Sequence, residues 1–285
     1  MEKSRNIIKK IWISLISGII LLVLFIVSVN YNFYNLFGGM PSLQDLEKPE
    51  SELSSELYSG DNKLLGKYFR FNRSPVKFDE LSDELVTTLL VTEDIRFYNH
   101  SGIDLKGLIR ATYGVGKNIL TFGSSGLEGG GSTITQQLAK NLFKIRREKK
   151  GSLSGVPFLG LIISKVKEWI VAVKLEEFYT KKEILAMYLN TAEYGSNSYG
   201  IKVAAKTYFN KLPSELNYNE SSIIVGLLNK PTKYNPYFNP DNAIEKRAEI
   251  FYNLYKYEIV DRKYYDSLKL MGLELNYKVE NQNVG

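Results

Sequence analysis

Residues 93–102 read Glu93-Asp94-Ile95-Arg96-Phe97-Tyr98-Asn99-His100-Ser101-Gly102. They overlap the end of a segment, Asp79 to Arg96, that opens on an aspartate. This segment sets Leu81, Leu85, Leu89 and Leu90 at the three-to-four spacing of an amphipathic helix. Two adjacent acids at a helix end are most often solvated charge. An aromatic, a histidine and a glycine at fixed offsets after them make this pair a candidate for chemistry.

Outward from that stretch, helical signals dominate. Asp104 to Gly114 repeats the amphipathic pattern. Upstream, Glu56 to Phe71 reads as a short hairpin, with Tyr58, Leu64, Leu65 and Tyr68 flanking the turn Ser59-Gly60-Asp61-Asn62. Downstream, a glycine-rich run from Gly123 to Gly131 leads into Ser132-Thr133-Ile134-Thr135-Gln136-Gln137. Thr133 with Gln136 fits a capping box, so a helix starts there and runs through Leu138, Leu142 and Phe143. Val166 to Tyr179 and Lys181 to Asn190 read as helices parted at Thr180. Ile201 to Phe209 and Glu220 to Leu228 follow, and Asp241 to Lys256 closes the series after a loop marked by Pro231, Pro236 and Pro240. Strand signals are sparse, and the domain reads as mainly α.

Composition narrows the function classes. With 44% hydrophobic and 13% aromatic residues, the chain of 285 folds rather than remaining disordered. The absence of cysteine excludes disulfides, thiolate metal sites and a cysteine nucleophile, and the single histidine, His100, disfavours a His-based triad. A net charge of +6 suits an anionic membrane surface or a phosphate-bearing substrate. Ile11 to Val29 carries no charge and, at about 1.5 Å per residue, spans roughly 28 Å of hydrocarbon. Lys3, Arg5, Lys9 and Lys10 precede it, and the first charges after it are Asp45 and Glu47. The positive-inside bias therefore places the N-terminus in the cytoplasm and the remainder outside, in a single-pass plasma-membrane protein. No small-x-small cleavage site follows, which favours an anchor over a signal peptide. The expected divisions are a cytoplasmic tail 1–10, a transmembrane helix 11–29, a juxtamembrane linker 30–55, a catalytic domain 56–260 and a C-terminal tail 261–285.

Several features point to an anionic substrate. Glycines before a capped helix leave backbone N–H groups for an anion, aided by the helix dipole, and a diphosphate is a natural guest; an ordinary capped loop is the plainer alternative. No Gly-Lys-Ser/Thr follows the glycines, so a nucleotide P-loop is excluded. Lys140, Lys144, Arg146, Arg147, Lys149 and Lys150 form a cationic run with one acid, Glu148. Leu153 to Ile163 is an apolar patch that lies either in the membrane interface or in the core.

The spacing Glu93, Asp94, Phe97, His100, Gly102 spells Glu-Asp-x-x-Phe-x-x-His-x-Gly, and the chain resembles the family 51 glycosyltransferases, the peptidoglycan polymerases. Gly130 to Gln137 matches that family's Gly-x-Ser-Thr-Ile-Thr-Gln-Gln. Lys181, Ile184, Leu185, Tyr188, Leu189 and Asn190 match Lys-x-x-Ile-Leu-x-x-Tyr-Leu-Asn. Lys165 and Glu168 match the third signature, Arg-Lys-x-x-Glu, with Ser164 where arginine belongs. The fifth signature survives as Lys246, Ile250 and Phe251.

The resemblance implies a lysozyme-like α-helical glycosyltransferase domain that polymerises lipid II into β-1,4-linked glycan and releases undecaprenyl diphosphate with inversion. It implies Glu93 as general base on the acceptor 4-hydroxyl and Glu168 as a second carboxylate near the donor diphosphate, acting through a divalent cation, Mg or Mn, or by holding nearby cations. Asp94, Ser132, Thr133, Gln136, Gln137, Lys140, Arg146, Arg147, Lys165, Lys181 and Asn190 are then the substrate-binding set, and His100 is a structural hydrogen-bonding residue. No organic cofactor and no nucleic acid are implied. The implied partners are lipid II, the nascent glycan strand, the plasma membrane and other cell-wall synthesis proteins. A lysozyme-like glycan hydrolase and an inactive cell-wall scaffold are the rivals. A bifunctional polymerase with a transpeptidase is disfavoured, because no Lys-Thr-Gly appears and too few residues follow Lys256 for a second domain.

Overall fold

A computed structural model describes residues 2–47, 55–61, 64–68, 75–120, 131–143 and 151–279. Eleven helices of the α type and one hairpin are present among the described residues. They are α1 (Glu2–Asn30), α2 (Leu43–Glu47), β1 (Ser55–Tyr58), β2 (Leu64–Tyr68), α3 (Asp83–Glu93), α4 (Leu105–Leu120), α5 (Ile134–Leu142), α6 (Pro157–Phe178), α7 (Lys181–Thr191), α8 (Ile201–Phe209), α9 (Tyr218–Asn229), α10 (Pro240–Lys256) and α11 (Arg262–Leu270). The two strands pair antiparallel, Ser55 opposite Tyr68, with a register shift between Leu57 and Tyr58. The mainly helical architecture read from periodicity is the architecture observed.

The segment expected as one helix from Asp79 to Arg96 is divided. A 3₁₀ turn occupies Phe78–Glu80, Leu81 is extended, and α3 begins after Ser82, whose hydroxyl accepts from the Leu85 N–H. Ser82 wins over Asp79 as the cap because its Oγ also donates to the Leu216 carbonyl at 2.8 Å, and its N–H to the Pro213 carbonyl at 3.2 Å. Leu85 and Leu89 still enter the main core, where they meet Leu138, Leu175, Leu185, Leu189 and Ile224. A second cluster of Val91, Phe251, Leu254, Val260 and Leu268 ties α10 and α11 to α3.

Helix α6 begins nine residues before the expected Val166, so the apolar patch from Pro157 onward forms its first turns, after a 3₁₀ turn at Ser152–Gly155, with Pro157 at the favoured N-terminal position. The patch divides between the two environments offered for it. Ile163 is buried with Val166 against Val29 and Phe37, whereas Phe158 and Leu161 are 77% and 62% exposed. The linker, which shows no periodicity, is laid along α6. Lys167 Nζ donates to the Gly38 carbonyl at 2.8 Å and to that of Gly39 at 3.2 Å. Tyr179 OH donates to the Leu46 carbonyl, and Leu46 is itself fully buried. Among the described residues one helix, over Arg5–Asn30, is long and apolar enough to cross a membrane.

Residues 261–279, expected as part of a tail, hold α11 and a segment packed on the domain. Leu273, Leu275 and Tyr277 lean on the main core, and buried Arg247 grips the Met271 and Gly272 carbonyls at 2.9 and 2.7 Å.

Candidate active site

A groove of about 910 Å³ opens between the end of α3, one face of α4, the start of α5, the middle of α6 and the inner face of α10. Glu93, the last residue of α3, stands in its wall. Gln137 Nε2 donates to Glu93 Oε2 at 2.8 Å, while Gln137 Oε1 accepts from Tyr188 OH at 2.9 Å. Burial, reinforced by the charge of Glu93, raises the Tyr188 phenol well above its ordinary range. The hydroxyl is therefore neutral and can donate to the glutamine oxygen.

Asp94 turns the other way. Its carboxylate accepts from the Ile134 N–H at 3.1 Å and lies 3.1 Å from His100 Nε2, fastening the end of α3 to the first amide of α5. The Gln136 N–H bonds to Thr133 Oγ1. Two amides at this helix start thus already have partners within the chain, as the plainer alternative of an ordinary capped loop has it, and the anion at the positive end of α5 is Asp94. The capping box is half formed. The Gln136 side chain donates instead to the Gly102 carbonyl at 3.1 Å, which also accepts from Thr133 Oγ1 at 2.7 Å.

In the same groove, Lys165 Nζ bridges Ser132 Oγ at 2.8 Å and Glu168 Oε2 at 2.7 Å. The three-residue spacing on α6 puts Lys165 and Glu168 on one face, and the Glu168 side chain is only 2% exposed. Ser164, where an arginine was expected, is not in the wall. Its hydroxyl bonds back to the Gly160 carbonyl of its own helix.

The family model described as transglycosylase matches residues 61–255. This chain belongs to the transglycosylase family. Penicillin-binding protein 1A of Pseudomonas aeruginosa is 31% identical to it over 278 residues, covering 96% of this chain and 31% of that protein. Penicillin-binding protein 1A of Haemophilus influenzae is 35% identical over 220 residues, 77% of this chain and 24% of that protein. Penicillin-binding protein 1F of Bacillus subtilis is 34% identical over 242 residues, 85% of this chain and 31% of that protein. The chain thus spans about a quarter to a third of the length of these relatives. The crystal structure of the Haemophilus influenzae protein superposes with a TM-score of 0.43 at 20% identity, over 80% of this chain and 22% of that one.

The groove gathers Glu93 and Glu168, the expected catalytic pair, with Asp94, Ser132, Thr133, Gln137, Lys140 and Lys165 from the expected substrate-binding set. Three others stand apart from it. Gln136 is held on Gly102. Lys181 bonds to Glu176 Oε1 at 2.8 Å and the His100 carbonyl at 2.6 Å, with its ammonium 4.1 Å over the Phe97 ring. Asn190 clasps Val76, donating to its carbonyl at 2.7 Å and accepting from its N–H at 3.0 Å. Arg146 and Arg147 lie outside the described residues.

Arg96, Arg110 and Lys256 line the groove without having been picked from the sequence; Lys246, noted there as a motif echo, lines it too. Gly107, Arg110 and Ala111 lie on one face of α4, so a small-residue face carrying one arginine was the available signal. Arg96 is anchored by Asp104 through Nε at 3.0 Å and Nη2 at 2.5 Å. Burial pushes the Asp104 carboxyl up, but the Arg96 bond and the Gly107 N–H outweigh it and hold the group below its ordinary value.

A divalent ion in this groove would fall to Glu168 and its neighbours. Among the described residues no three His, Asp or Glu side chains converge as metal ligands, and Glu168 is already bonded to the Lys165 ammonium. The described residues alone therefore form no three-ligand cage, and a cation at Glu168 would need substrate phosphates as further ligands and would compete with Lys165.

Proposed function

We propose that this chain is a peptidoglycan glycosyltransferase that polymerises lipid II. The observation that carries the reading is the gathering of two charged clusters in the lining of one groove. One is the Glu93 carboxylate, held by Gln137, and the other is Lys165 with Ser132 and Glu168. Glu93 takes the proton from the acceptor sugar's 4-hydroxyl as its oxygen bonds to the donor's anomeric carbon. The bond from that carbon to the diphosphate oxygen breaks on the opposite face, with inversion, and undecaprenyl diphosphate leaves. Lys165, Lys140, Arg110 and Lys246 supply positive charge for the departing diphosphate, which gains negative charge as the bond breaks. Glu168 orients Lys165 and, with Ser132, fixes where its ammonium sits.

The lipid of the substrate and the apolar surface of the protein suit one another. Helix α1 ends against Ile163 and Val166 of α6, and the exposed Phe158 and Leu161 lie on that same helix within two turns of Lys165. A catalytic domain seated there meets its substrate at the outer leaflet, with the basic N-terminus on the cytoplasmic side.

The test is polymerisation of lipid II by the full-length protein. Glu93→Gln is expected to lower glycan yield at least about a hundredfold, the range of a lost general base, while melting stays at the wild-type temperature. Undiminished polymer from this variant overturns the assignment of the base.

A further inference from the structure

Tyr188 lies outside the groove, 2% exposed, on α7. Its hydroxyl nevertheless ends a line of two hydrogen bonds that crosses three helices, Tyr188 to Gln137 on α5 and Gln137 to Glu93 on α3. We infer that Tyr188 is a positioning residue for glycosyl transfer, because its hydroxyl fixes which end of the Gln137 amide faces Glu93. This inference rests on the proposed role of Glu93.

A glutamine side chain offers an oxygen at one end of its amide and an N–H at the other. With the Tyr188 hydroxyl donating to Oε1, Nε2 is left facing the carboxylate and holds it in one rotamer at the groove wall. The reverse orientation would set Oε1 against the Glu93 oxygens, acceptor against acceptor. Nothing at the Glu93 end enforces the choice when the carboxylate swings toward a substrate hydroxyl. The far end does, since a phenol enclosed in the core has no water to turn to and gains a partner only by donating to Gln137. The aromatic ring fills core volume that phenylalanine would fill equally well, so the hydroxyl is the part that reports on the groove.

Tyr194 supplies the control. It is also fully buried, and its hydroxyl donates to the Leu189 carbonyl at 3.1 Å, with no link to Glu93. Tyr188→Phe and Tyr194→Phe each delete one buried hydroxyl, so each is expected to lower the melting temperature modestly. Only Tyr188→Phe is expected to lower kcat for lipid II, by about tenfold, with KM within about twofold of wild type. In the double variant Tyr188→Phe/Gln137→Ala, kcat is expected to equal that of Gln137→Ala alone, because the tyrosine acts through the glutamine.

Wild type and Glu93→Gln are assayed alongside. An inactive wild type, or an active Glu93→Gln, removes the role of Glu93 and this inference with it. With wild type active and Glu93→Gln inactive, the inference alone is overturned by full kcat in Tyr188→Phe, by an equal kcat loss in Tyr194→Phe, or by losses that multiply in the double variant.

Discussion

Gly102 is where the acidic signature, the α5 cap and the α6 backbone meet, and Gly102→Ala tests whether that junction holds the site together. The residue has φ +85°, a conformation that costs an L side chain about 1–2 kcal/mol. A methyl group there would sit 2.8 Å from the Ala172 carbonyl carbon, 2.9 Å from its oxygen and 3.0 Å from the Val173 nitrogen. These are backbone atoms in the middle of a helix and cannot rotate away, so overpacking adds about 1–3 kcal/mol. Shifting the Gly102 segment instead would loosen the bonds its carbonyl accepts from Thr133 and Gln136. The sum is about 2–5 kcal/mol, or roughly 4–20 °C in melting temperature for a domain of this size. Circular dichroism of the full-length protein in detergent, heated at one rate for all variants, measures it. Gly155→Ala, whose methyl would meet nothing within 4 Å, is the control and is expected to stay within about 0.5 kcal/mol of wild type. A Gly102→Ala protein that melts within about 2 °C of wild type refutes the claim that α6 closes this position to a side chain.

Lys181→Met should cost about 3–5 kcal/mol by leaving Glu176 without its cation, while the KM for lipid II stays unchanged. A raised KM with wild-type melting would instead place Lys181 on the substrate. Because the Asp104 carboxyl is held below its ordinary value, its stabilising effect is complete above the unfolded value of about 3.9 and is lost as pH falls through the folded one. Asp104→Asn should therefore melt below wild type at neutral pH, with the gap narrowing as pH falls below the unfolded value; a gap that stays constant as pH falls counts against the Arg96 pairing. Since Glu168 is bonded to Lys165, excess EDTA is expected to leave the polymerisation rate within about twofold. A rate that collapses and returns with Mg or Mn would show that a cation displaces Lys165.

The break at Thr180 and the span of α8 were legible to the residue, whereas α9 begins at Tyr218, two residues before the expected Glu220, behind a capping box of Asn217 and Glu220. Thr180 stops α6 from running into α7 because its hydroxyl accepts from the Glu183 N–H and Glu183 answers at its own, and α8 spans the same Ile201–Phe209 that its apolar spacing predicts. Where the periodic signal fails, an apolar surface faces something other than the core. The first turns of α6 are apolar on two sides, one against the anchor and one outward, so no polar face remains to mark a helix. Past α11 the signal was present in another period. Leu273, Leu275 and Tyr277 alternate, as in a strand with one buried face, and Asn276 and Lys278 donate to the Tyr208 and Thr207 carbonyls.

The site was legible as a set of positions and not as a set of directions. Successive helical residues point about 100° apart, so neighbours in one motif can serve opposite sides of a wall. Gln136 and Gln137 are adjacent, yet the first secures Gly102 and the second holds Glu93. Lys165 and Lys167 are two apart, about 200° around α6, and one reaches Ser132 while the other grips the linker carbonyls. Helix α7 is the limiting case, because Lys181, Tyr188 and Asn190 fit the signature completely and none of them lines the groove. Lys181 secures the His100 carbonyl, Asn190 secures Val76, and only Tyr188 is linked to the groove, through Gln137. A helix behind the wall can therefore bear on the groove without lining it, as α7 does through the bond from Tyr188 to Gln137 and from there to Glu93.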